Sequence, residues 1–201
     1  MPNAPVLIVS VRRYNPYEFW GCLGVLQQRE IPYILSSTHN YVWSERDRKE
    51  VINTIPLEAI DASLPFRGLM IVSGNPSDTR ALWFDKQLKA LVVDSRSTPI
   101  AAICAAAPCV RYIAKGKRVA TYPLVEAKSL IKDSGGLLST ESIVVDPPIV
   151  TAEHQMRTVQ WANAFCDLLQ GQSTNINIID SGFSPRGKPR RLPLELRHRV
   201  E

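Results

Sequence analysis

Apolar residues along this chain follow two rhythms. Short unbroken apolar runs bounded by Gly, Pro, Asn or Asp mark strands covered on both faces, while apolar positions three or four apart mark amphipathic helices. The first run is PVLIVSV at residues 5–11, rich in β-branched side chains. Asn15-Pro16 turns the chain, and residues 17–29 place Phe19, Cys22, Leu23 and Leu26 on one helical face. IPYILSS follows as a second strand. A strand–helix–strand opening favours a parallel sheet, because the helix supplies the crossover.

Residues 38–64 are less regular, and YVWSERDRKEVINTI fits either a charged hairpin or a short helix. GLMIVS at residues 68–73 restores the buried-strand pattern and stops at Gly74. After the loop GNPSDT, with Ser77 or Asp78 as the expected cap, a helix is predicted over residues 79–93 carrying Leu82, Leu88, Leu91 and Val92. PIAAI at 99–103 reads as the next strand, and residues 106–114 as a helix ended by Lys115-Gly116. Beyond it, KRVATYP reads as a short strand and LVEAKSLIKDSGG as a helix closed by glycines. ESIVVDPPIVTA reads as two strands about Asp146-Pro147-Pro148, and residues 154–170 as a long last helix. This alternation predicts a three-layer α/β/α sandwich with a mostly parallel sheet. Residues 1–171 form one domain on this reading. From 172 to 201 the composition shifts to Ser, Asn, Pro, Gly and Arg, which reads as a loosely ordered basic tail.

At 201 residues with 45% hydrophobic content, the chain buries a substantial core without covalent staples. No apolar run approaches the ~20 residues of a membrane span. The opening MPNAPVLIVSVRRY has neither the basic leader nor the cleavage pattern of an export signal, so a cytoplasmic location is expected. The formal charge of +5 suggests nucleic acid until its position is read. Six basic residues against two acidic ones lie between Arg186 and Glu201, which leaves the body close to neutral and without a phosphate-binding face. Cys22, Cys104, Cys109 and Cys166 form no C-x-x-C pair, so neither a zinc site nor a disulfide framework is expected. Reduced thiols are the natural reading.

In a parallel α/β sheet, ligands bind beyond the carboxyl ends of the strands. Three predicted junctions fall there: the first strand leads to Glu18, GLMIVS leads to Gly74-Asn75, and TPIAAI leads to Cys104. Two readings of Cys104 compete. A free cysteine is often a small core hydrophobe, and Cys22, Cys109 and Cys166 on helical faces are read that way. At a strand-to-helix turn, however, the helix dipole and unpaired amides lower a thiol's pKa and favour the nucleophilic thiolate. The small residues Ala105, Ala106 and Ala107 suit a tight turn that substrate must approach closely, and Pro108 suits an early helical position. Glu18 is then a candidate general acid or base, or a protonated donor to the sulfur. The backbone amides of Gly74, Asn75 and Ala105 are candidate oxyanion donors. No metal or cofactor is called for.

GLMIVSGN, PIAAICAAAP, RVATYP and ESIVVDPPIVTA, in this order and spacing, resemble the ThiJ/PfpI superfamily, with its class I glutamine amidotransferase-like fold and nucleophile elbow. The resemblance covers roughly residues 5–171 and is nearest the branch containing the parkinsonism-associated deglycase and redox sensor. It implies that Cys104 is the elbow cysteine, that Glu18 is its acidic partner, and that the chain forms a homodimer. Three departures stand out. Asn75 replaces the second glycine of a G-G pair, Ala105 replaces the histidine of protease-like members, and Tyr122 replaces a histidine common in this branch. His154, just after IVTA, is the candidate replacement base or anion ligand; its other reading is a helix-cap or surface histidine.

The resemblance implies glyoxalase- or deglycase-like action on a small carbonyl substrate in stress response. The alternatives are a redox sensor or chaperone acting through oxidation of Cys104, and a peptidase or amidase, which Ala105 disfavours. A binding module that contacts nucleic acid or an acidic protein through the basic tail is a further, separate class.

Overall fold

The computed structural model describes residues 4–61 and 65–171; the basic tail lies outside them. In chain order the elements are β1 (Val6–Ser10), β2 (Arg13–Tyr14), α1 (Pro16–Gln28), β3 (Tyr33–Ser37), β4 (Tyr41–Ser44), β5 (Val51–Asn53) and β6 (Ile55–Pro56). They continue with β7 (Gly68–Ile71), α2 (Pro76–Trp83), α3 (Lys86–Asp94), β8 (Ile100–Ile103), a 3-10 helix (Cys104–Ile113), β9 (Arg118–Val119) and α4 (Val125–Asp133). The last are β10 (Leu137–Leu138), β11 (Ile143–Asp146), β12 (Ile149–Ala152) and α5 (Thr158–Leu169).

Seven strands form one sheet in the order β11-β12-β8-β7-β1-β3-β6. Only the β11–β12 pair is antiparallel. Both faces are covered, which is why the central strands are continuously apolar rather than alternating. Val6 and Ile8 of β1 enter one core cluster with residues of α1 and α5, while Leu7 and Val9 enter a second with residues of α2, α3, α4 and the 3-10 helix. The architecture is the expected three-layer sandwich.

Local chemistry moved several boundaries. The ambiguous segment after residue 38 is a hairpin, with β4 and β5 antiparallel. β2, hidden in the polar pair after the first strand, joins β4 to complete a second, three-stranded sheet. The single helix predicted over 79–93 is two helices, because Asp85 caps a fresh start by accepting from Leu88 N at 2.8 Å. The cap of α2 is Asn75, not Ser77 or Asp78; its Oδ1 accepts from Ser77 N at 3.2 Å. Asp78 is turned away to Arg13, 2.7 Å from its guanidinium. The helix expected from 106 begins at Cys104 itself and is 3-10 throughout. A separate 3-10 turn (Gln155–Arg157) precedes α5, where one long helix was predicted.

α5 closes the face that carries α1. Phe165 is fully buried, and its ring lies so close to Gly68 that a Cβ there would sit 2.7 Å from Cζ. Phe165→Ala should therefore cost about 3–5 kcal/mol, read as a lower urea midpoint at unchanged slope.

Candidate functional site

The site is assembled by the three central strands β8, β7 and β1, which are neighbours in that order. Their register pairs Val9 with Ile71 and Ile71 with Ala102. Two residues further on, Ser73 and Cys104 leave the sheet at the same level on adjacent strands, whose spacing is about 4.8 Å. Glu18 reaches the same edge from the first turn of α1. That turn is fixed by Asn15, whose Oδ1 accepts from Tyr17 N at 3.0 Å and Glu18 N at 3.4 Å, with Pro16 in the first helical position.

Cys104 is held at φ +57°, a left-handed conformation that costs a non-glycine residue about 1–3 kcal/mol. Neighbouring groups fix its own carbonyl and the next one. Tyr122 N and Thr121 Oγ1 donate to Cys104 O at 3.3 and 3.4 Å, and Trp83 Nε1 donates to Ala105 O at 2.7 Å. Glu18, the Ser73 side chain and the Ala105 amide are the groups whose charge or polarity bears on the sulfur.

Glu18 is fully buried. Desolvation raises its pKa to about 7, although Ser73 opposes this through two bonds, from N to Oε2 at 2.6 Å and from Oγ to Oε1 at 2.9 Å. Cys104 is 9% exposed. Burial, and then the Glu18 charge, push its pKa well up, against smaller downward pulls from Ala105 N–H and Ser73. This reverses the expected dipole-lowered thiolate. Near neutrality Cys104 is a thiol facing a half-ionised acid, so its ionisation depends on moving its proton to a partner.

Of the three amides expected to bind an oxyanion, two are already engaged. Gly74 N donates to Thr79 Oγ1 at 3.1 Å and Asn75 N to Arg13 O at 2.8 Å. Gly74 is required by close approach, since a Cβ would lie 2.0 Å from Arg13 O. Of the three, Ala105 N–H is the one that favours the thiolate, by lowering the Cys104 pKa. His154 has the helix-cap role: Nδ1 accepts from Met156 N at 3.3 Å, which leaves the proton of the neutral ring on Nε2. Its ring stacks on Tyr122 at 5.9 Å, so it joins the elbow through that residue. Ser73, Trp83 and Thr121 were not anticipated. The signal for Ser73 was legible, a hydroxyl ending an otherwise apolar strand at the predicted rim. Among the described residues no cluster of three His, Cys, Asp or Glu could hold a metal ion.

A DJ-1/PfpI family model matches residues 4–168. The chain belongs to the DJ-1/PfpI family. Solved structures share the fold of this DJ-1/PfpI chain at low identity. A ThiJ/PfpI domain protein from Brachyspira murdochii is 19% identical with a TM-score of 0.71, covering 85% of this chain and 98% of its own. Drosophila melanogaster DJ-1beta is 20% identical with a TM-score of 0.71, over 84% and 92%. The putative protease I from Bacteroides thetaiotaomicron is 17% identical with a TM-score of 0.67, over 85% and 99%. No curated protein matches the sequence significantly. No described helix is long and apolar enough to cross a membrane.

The raised pKa of Glu18 links the site to stability. An acid whose folded pKa, about 7, exceeds its ordinary 4.5 stabilises the fold fully below pH 4.5, and this contribution is lost as pH rises through 7. Glu18→Gln removes the titration. Thermal or urea unfolding from pH 4.5 to 8 should show the wild type losing roughly 3 kcal/mol relative to the variant, with parallel curves refuting a raised pKa.

Proposed function

We propose that this family member is an enzyme acting on reactive carbonyls, with Cys104 as nucleophile and Glu18 as the acid–base group. The observation that supports this reading best is the pairing of an elbow thiol with a fully buried carboxyl whose pKa is raised to about 7. Glu18 carboxylate takes the thiol proton as Sγ adds to an aldehyde carbon, and protonation of the aldehyde oxygen gives a hemithioacetal. With methylglyoxal, Glu18 then removes the C–H proton of that carbon, and the enediol is reprotonated at the neighbouring carbon. Water cleaves the resulting thioester to lactate and restores the thiol. In this reading Ala105 N–H, which favours negative charge on the sulfur, is the amide that stabilises the developing oxyanion. A peptidase reading lacks its base, since Ala105 stands where protease-like members carry histidine.

A second reading is favoured by the crowding of donors about a nearly buried sulfur. Two equivalents of hydrogen peroxide convert the thiolate to a sulfinate and two waters, and in this reading protonated Glu18, Ser73 and Ala105 N–H, the groups that bear on the sulfur, hold its oxygens.

Lactate formation from methylglyoxal decides between them. Turnover by the wild type and its loss in both Cys104→Ser and Glu18→Ala is the expected outcome, by about 10²-fold or more for the loss of a positioned base. A wild type without turnover, whose Cys104 is selectively oxidised by dilute peroxide in mass spectra, establishes the sensor instead.

A further inference from the structure

One hydrogen bond ties the acid to an element that contributes nothing to it in sequence. Asn15 caps α1 by accepting at Oδ1 from Tyr17 N and Glu18 N, and these two backbone donors decide which end of its carboxamide is oxygen. Nδ2 must then point away from the helix. The residue as a whole is 8% exposed, so that amide needs an acceptor from the protein. Gln155 Oε1, on the 3-10 turn before α5, is the acceptor. The turn is itself held, with Thr158 Oγ1 donating to Gln155 O at 2.6 Å and Arg157 N to His154 O at 2.9 Å.

Asn15 is also the knot that joins the acid to its neighbouring strand end. Its backbone N donates to Ser73 O at 3.0 Å, Ser73 N donates to Glu18 Oε2 at 2.6 Å, and Glu18 N returns to Asn15 Oδ1 at 3.4 Å. The Asn15 carboxamide is the one side-chain amide in this closed ring. Without Gln155 it keeps the cap only by leaving Nδ2 unpaired, and it pairs Nδ2 with water only by rotating, which takes Oδ1 off the helix. We propose that Gln155 is a positioning residue for Glu18, acting through the Asn15 carboxamide to hold the acid on Ser73. The same turn reaches the other half of the site, because the His154 ring stacks on Tyr122, whose N donates to Cys104 O at 3.3 Å. The proposal rests on the reading of Glu18 as the acid–base group, but not on carbonyl turnover.

The ionisable groups that bear on Glu18 are Cys104, Cys22 on α1 and Glu45 after β4, with His154 at the rim through Tyr122. None of them is replaced in the test, which is the pH titration of the Glu18 carboxyl carbon by NMR. Full-length protein carries carbon-13 glutamate, and the resonance is assigned by its absence from Glu18→Gln. The wild type should titrate near pH 7. Both Ser73 donations favour the carboxylate, so loosening them in Gln155→Leu should raise the midpoint by about one pH unit. Asn15→Ser keeps a capping oxygen but has no amide to satisfy. Gln155→Leu added to Asn15→Ser should therefore leave the midpoint where Asn15→Ser alone puts it.

A Gln155 that merely shapes its own turn would move the midpoint equally in both backgrounds. That result overturns the proposal, as does an unmoved midpoint in Gln155→Leu. Should Gln155→Leu not fold, the wild type decides through its Asn15 side-chain amide protons: slowed exchange with solvent is expected, and exchange at the rate of an exposed amide overturns the bond to Gln155. The titration needs no carbonyl substrate. Absent methylglyoxal turnover with the expected shifts thus refutes the enzyme reading alone, and turnover with an unmoved midpoint refutes the role of Gln155 alone.

Discussion

Everything at this site follows from one buried carboxyl. Removing Glu18 from water disfavours its charge, and two donations from Ser73 recover only part of that cost. The acid is left with a pKa near 7, and its charge in turn opposes ionisation of the sulfur beside it. The pair therefore behaves as a dyad that accommodates one negative charge, whose protons belong to the pair rather than to either residue. A cysteine in such a place is not a preformed thiolate waiting for any electrophile. It becomes nucleophilic when its proton has somewhere to go, which ties reactivity to correct docking of the acid.

The elbow that presents the sulfur is strained and needs support from outside its own segment. Trp83 supplies it by donating to Ala105 O, and Trp83 is itself placed by a second layer. Tyr112 Oη donates to Trp83 O at 3.2 Å and in turn accepts from Arg111. Arg111 is 9% exposed, lies over the Phe84 and Tyr112 rings, and returns a bond to Pro108 O at 3.0 Å. The 3-10 helix thus braces its own first turn through α2. Pro108 lacks a donor, which suits a helix in which Arg111 satisfies the Pro108 carbonyl from the side.

The central sheet and the rim were legible because their signals are local. An apolar run of four or five residues between turn formers has few alternatives, and the positions of Glu18 and Cys104 relative to such runs put both at one edge. What escaped reading was set by competition between neighbours. Asn75 was assigned to anion binding, yet it caps α2, and the amides of Gly74 and Asn75 bond to Thr79 and to the Arg13 carbonyl across a strand no pattern announced. Asp78 was a candidate cap until a distant Arg13 outbid that use with two side-chain contacts. The direction of the Cys104 shift was missed for the same reason. Helix-dipole arguments presume solvent access, and nothing in the sequence reports that the sulfur is almost sealed.

The loss of imidazole at two expected positions takes its meaning from this geometry. With Ala105 after Cys104 and Tyr122 N bonded to the Cys104 carbonyl, no histidine ring is placed against the sulfur by the elbow itself. His154 is engaged at the rim, where its Nδ1 closes a 3-10 turn and its face lies on Tyr122. Imidazole would bring a base with an ordinary pKa near 6.5. Burial brings the Glu18 carboxyl to much the same value by a different route, penalising its charge until it titrates near neutrality. The two solutions differ in net charge. An imidazole base leaves the thiolate beside a cation, whereas here the thiolate forms only as the carboxyl becomes neutral.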